Sequence, residues 1–104
     1  MGAWSILALA GLLEVVWAIA LKQSAGFSRL GPTIVTAVGA FASFWLLAVA
    51  MKSLPVGTAY AVWTGIGALG VAFLGIIWFG EAITPLRIAG IALIVCGIAA
   101  LKFG

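Results

Sequence analysis

Two carboxylates and no histidine limit what this chain of 104 residues can do with protons. The acids are Glu14 and Glu81, and only Glu14 lies inside a hydrophobic run, Ala3 to Leu21. An ionised carboxylate at bilayer depth costs from roughly 3 to well over 10 kcal/mol, on contested estimates. A chain that keeps one there uses it for protons, ions or a cationic substrate. The plain alternative is a protonated acid that only hydrogen-bonds a neighbouring helix. Glu81 stands in a polar break beside Arg87 and reads as a surface charge, not as a second proton site.

Helical spacing puts Leu7, Ala10, Gly11, Glu14, Trp17, Ala18 and Leu21 on one face. Of these, Ala10, Gly11 and Ala18 are small and leave room beside the carboxylate. Trp17, one turn on, carries an indole N–H that can only donate. A donor beside Glu14 offsets part of the cost of burying its charge; the alternative for Trp17 is an aromatic at the lipid interface. The second apolar run places Thr36, Gly39, Ser43 and Leu47 on one face. The Ser43 hydroxyl, at mid-depth, can donate to a carboxylate or to its own helix backbone. In the third run Tyr60 and Trp63 are one turn apart, and their π-faces suit a desolvated cation. Gly65, Gly67 and Gly70 either let that helix bend or let a neighbour pack closely. Gly90 and Gly97 form a small-residue stripe on the fourth run, expected as a dimer seam.

The elements that must hold these residues follow from composition. The chain is 66% hydrophobic and 7% charged, against about 25% charged residues in soluble domains. Mean hydropathy is +1.39. Four apolar runs, at about 3–21, 32–51, 56–79 and 85–103, are separated by short polar breaks. About 20 residues at 1.5 Å each match a hydrocarbon core of roughly 30 Å. The chain therefore reads as an all-α membrane protein, one domain of four transmembrane helices spanning 1–104, in the cell (inner or plasma) membrane. The runs are continuous rather than alternating, which excludes a barrel. The first holds an acid and follows no Lys or Arg, so it is read as a membrane helix and not a cleaved leader.

Other function classes fall away. The five cations are scattered, unlike the clustered Lys and Arg of nucleic-acid binders. Cys96 is the sole cysteine and forms neither an intrachain disulfide nor a metal site. No catalytic triad, phosphate-binding glycine loop or metal cluster can be assembled, so no enzyme, cofactor or metal is expected. Lys22, Arg29 and Arg87 fall on one side of the membrane, and Lys52 and Lys102 on the other. So small a bias predicts insertion in both orientations. An antiparallel homodimer would then supply the inverted symmetry that many transporters build from internal repeats.

The ordered set of residues resembles the small multidrug resistance family of four-helix exporters over the whole chain. The matching positions are Glu14, Lys22, Gly26 to Arg29, Pro32, Ser43-Phe44-Trp45-Leu46-Leu47, Pro55, Gly57, Ala59-Tyr60, Trp63, Gly65 and Gly67. Gly90 through Gly97 looks like that family's dimerisation stripe. Gly11-Leu-Leu-Glu14-Val-Val-Trp17, with Lys102 near the C-terminus, resembles its guanidinium exporter branch; the multidrug branch usually has a small residue where Trp17 stands. The resemblance implies a dual-topology homodimer exchanging guanidinium for protons at Glu14. It also implies that Trp17 and Ser43 hydrogen-bond that carboxylate and that Tyr60 and Trp63 line the pocket. Two other readings stand beside this one: a broad exporter of aromatic or quaternary ammonium cations, and an assembly subunit with no transport of its own.

Overall fold

In a bilayer every backbone polar group must be satisfied within the chain, and a helix does so segment by segment. The structure, a computed structural model describing residues 2–104, consists of four helices joined by short connections. They are α1 (Ala3–Gln23), α2 (Leu30–Ala50), α3 (Val56–Trp78) and α4 (Pro85–Phe103). All four are long and apolar enough to cross a membrane. The second begins at Leu30, ahead of the expected Pro32. Pro32 is tolerated in that first turn because the N–H it lacks would have had no intrahelical acceptor. In α4 the Thr84 side chain accepts the Arg87 backbone N–H at 3.1 Å, with Pro85 opening the helix.

The α1–α2 connection is the tightest feature of the backbone. Ser24 is fully buried. Its hydroxyl donates to the Leu21 carbonyl at 2.7 Å and accepts the Phe27 N–H at 3.1 Å. Its carbonyl accepts from the Ser28 and Arg29 N–H groups at 2.9 and 3.1 Å. To close this turn, Ala25, Gly26 and Phe27 all take left-handed backbone angles, with φ of 49°, 72° and 66°. Only the glycine does so without steric cost; the bonds gathered on Ser24 hold the other two.

The central helix is α1, which packs against both α2 and α3; those two touch each other little. The core joins Leu7 and Ala10 of α1, Leu47 and Ala50 of α2, and Ala59, Val62 and Trp63 of α3. It therefore lies toward the end where α1 begins and α3 starts. Helix α4 packs chiefly on α3, and none of its residues is buried. Its Ile98 and Ile94 lie over Gly65, and Lys102 Nζ sits 5.3 Å from the centre of the Trp4 ring. The protomer is a slab of 41 × 35 × 19 Å.

Candidate functional site

Glu14 lies where α1 crosses α3. Its carboxylate rests on Gly67, so closely that a Cβ there would overlap Oε1, Cδ and Cγ of the acid. The next residue, Val15, fills the space over Gly70 in the same way. Residues 67 and 70 share one face of α3, and their missing side chains set where α1 sits. The buried stripe of α1 is consequently Leu7, Ala10, Gly11, Val15, Ile19 and Ala20. Glu14, Trp17 and Ala18, expected on one face with Leu7, Ala10 and Gly11, lie half-buried along its edge, and Leu21 is exposed. Being packed from two sides, α1 buries a wider face than one stripe can describe.

The glycines take several roles. Gly11 faces Ile66, whose Cγ2 would lie 2.6 Å from a Cβ at that position, so it gives α3 close approach rather than room to the carboxylate. Gly65 receives Ile98, and Gly67 receives Glu14. Helix α3 runs unbroken through both, from Val56 to Trp78. Of the two readings open for these positions, close packing is the one the structure displays. Gly90 and Gly97 face outward, with nothing within 4 Å of a Cβ at either.

Ser43 is fully buried, on the stripe Thr36, Gly39, Ser43 and Leu47 that spacing placed on one face of α2. Its hydroxyl donates to the Ala10 carbonyl at 2.7 Å and accepts the Trp63 indole N–H at 2.9 Å. It thus bonds neither the carboxylate nor its own helix. The reason is proximity: Ala10 lies one turn before Glu14, and its carbonyl already receives the Glu14 backbone N–H in a regular helix. Ser43 adds a second donor to that oxygen. One hydroxyl therefore ties α1, α2 and α3 together a turn away from the acid.

Trp17 sits over Gly39 of α2, where a Cβ would meet its Cβ at 3.0 Å. Among the described residues, its Nε1 and Glu14 Oε1 are buried without a hydrogen-bond partner. The expected bond from Trp17 to the carboxylate is not made; the residue packs on α2, against Gly39 and Phe44. Each such group costs about 1–3 kcal/mol, and more when charged, and two occur one helical turn apart.

The aromatic residues form a line. Trp17 and Phe44 ring centres are 6.2 Å apart, Phe44 and Trp63 5.5 Å, and Trp63 and Tyr60 5.6 Å, all tilted. Tyr60 is 56% exposed and Trp63 only 5%, so the pair expected to act alike is divided between surface and core. Sequence reasoning did not single out Phe44 as a site residue. The available signal was its place beside Ser43, one position off the buried stripe. Glu81 pairs with Arg87, Oε1 to Nη2 at 2.9 Å, as a surface charge should.

Four helices of membrane-spanning length with one acid seated between them define a multi-pass membrane protein. Residues 2–94 match the Small Multidrug Resistance protein family, and the chain belongs to it. It is 62% identical to the guanidinium exporter of Escherichia coli (strain K12) over 99 residues, covering 95% of this chain and 94% of that one. It is 63% identical to the guanidinium exporter of Yersinia pseudotuberculosis over 100 residues, 96% of each chain. The Salmonella typhimurium guanidinium exporter is 58% identical over 99 residues, 95% of this chain and 94% of that one.

Proposed function

We propose that this protein exports guanidinium in exchange for protons, with Glu14 as the group that holds either. The observation that carries the reading is the buried, unpartnered Glu14 Oε1 beside the unpartnered Trp17 Nε1. Guanidinium is planar and carries N–H donors on three sides, so it can fork onto a carboxylate as an arginine side chain does. A proton neutralises the same oxygen. The two exclude each other, and that exclusion is the coupling. The relatives' shared name supplies the substrate.

The transporting unit is an antiparallel homodimer of single-domain protomers. Supporting this are the thin slab of the protomer, the uncovered α4 with Gly90 and Gly97 outward, and the near-balanced cations at the two ends. In it Trp17 and Ser43 fix the geometry of α1 around Glu14, while Tyr60, Phe44 and Trp63 supply the walls. Gly11 and Gly67 keep α1 and α3 close enough for those walls to meet, while Gly65 seats α4. Two Glu14 residues set an upper limit of two protons per cycle.

The test is electrical recording from the reconstituted protein on adding guanidinium, with and without tetramethylammonium. Currents with guanidinium that Glu14→Gln abolishes are expected. Larger currents with bulky aromatic or quaternary cations would favour the broad-exporter reading, and neither current nor proton flux with any cation would leave an assembly subunit.

A further inference from the structure

We propose that the groove at the Lys22 end of α1 is a binding site for an anionic phospholipid, with an acyl chain in the groove and the phosphate at Lys22. The groove has a volume of about 290 Å³ and is shared by α1, α2 and α3. Val15 lies at its deep end, Val35 and Leu74 form its walls, and Gln23 and Trp78 stand at its mouth. From Val15 to Gln23 the helix advances about 12 Å, most of the roughly 15 Å of hydrocarbon in one leaflet. A single acyl chain matches that depth and its apolar walls.

The mouth carries the chemistry of a headgroup site. Trp78 is 63% exposed at the end of α3, at the depth where tryptophans favour the membrane interface. The next residue, Phe79, holds Lys22 Nζ 5.7 Å from its ring centre, which fixes an ammonium beside the opening. Arg29 starts α2 at the same end. Glu81, the acid of this end, is taken by Arg87 at 2.9 Å, so among the described residues no carboxylate neutralises Lys22. An exposed ammonium over an apolar channel of leaflet depth complements a phosphate joined to an acyl chain. None of the groove's lining residues belongs to α4.

The experiment reconstitutes the full chain in phosphatidylcholine vesicles with spin-labelled phosphatidylglycerol or phosphatidylcholine and measures the motion-restricted fraction of each. An apparent affinity for phosphatidylglycerol about fivefold higher is expected for one lysine near the surface. Lys22→Gln removes the preference, Lys22→Arg restores it, and Lys52→Gln at the opposite end leaves it unchanged. Val35→Phe, which fills the groove, removes it with Lys22 still in place. Circular dichroism of each variant establishes that the helices are intact. Equal affinity for the two lipids overturns the proposal, as does a preference that survives either Lys22→Gln or Val35→Phe. The assay does not involve transport, so its failure leaves the exporter reading untouched.

Discussion

At Glu14 the side chain and its seat form one unit. Glu14→Gln keeps shape and hydrogen bonding but can hold neither a negative charge nor an exchangeable acid proton. Proton-coupled guanidinium uptake in liposomes should fall to the protein-free background; retained coupling would refute the assignment. Gly67→Ala is the companion test, since the added methyl needs the volume the carboxylate occupies. We expect guanidinium affinity to drop about tenfold or more, as for the loss of a charged hydrogen bond, in protein that still carries four helices by circular dichroism. Gly65→Ala, which meets the flexible ends of Ile98 and Ile94 instead, should leave affinity nearly intact. The pH dependence has a definite sign. Lowering pH fills Glu14 with protons, so the apparent guanidinium Kd rises, by up to about tenfold per unit for each proton displaced. Calorimetry at several pH values measures the slope, and the Gln variant should show none.

At the level of helices, the three-way tie through Ser43 makes its own prediction. Ser43→Ala strands the Trp63 indole N–H in the core, at a cost of about 1–3 kcal/mol. Trp63→Phe removes that donor and keeps an aromatic ring, while Ser43 still bonds Ala10. The two losses should therefore be less than additive in a double-mutant cycle of unfolding in mixed micelles; strict additivity would show that the bond contributes nothing. This tie also marks how far the sequence could be read. Four helices followed from apolar runs of bilayer length, and the buried stripe of α2 followed from spacing alone. The α1 stripe followed only at Leu7, Ala10 and Gly11; beyond them two helices pack on it and the glycines at 67 and 70 of α3 decide the contact angle. Ser43 was visible as a mid-depth hydroxyl, yet its acceptor is a backbone carbonyl, and backbone oxygens carry no sequence signature. Phe44 was passed over because it flanks the stripe instead of lying on it.

For the whole molecule, the slab only 19 Å thick and the bare α4 are the features on which the proposed homodimer rests. Gly97→Leu puts a bulky side chain where a Cβ has nothing within 4 Å, so the protomer should fold unchanged. Self-association measured by energy transfer between labelled copies should nonetheless weaken. Orientation gives a second test, because the charge bias is small enough to tip. Ser53→Lys with Gly2→Lys loads one end, and Gln23→Lys with Ile83→Lys loads the other. Each should insert in one orientation and lose transport alone, and co-expression of the two should restore it.

The turn closed on Ser24 bears on how the protein is made. Helices α1 and α2 are neighbours in the chain, share the most extensive interface and are joined by a connection that its own side chains lock. A nascent chain that has released only its first half can already form that hairpin. The last helix to leave the ribosome finds little in its own chain to pack against. In the homodimer proposed above, its commitment comes late, with the arrival of another polypeptide of the same kind, and biosynthesis of the halves and their pairing are then separate, sequential events.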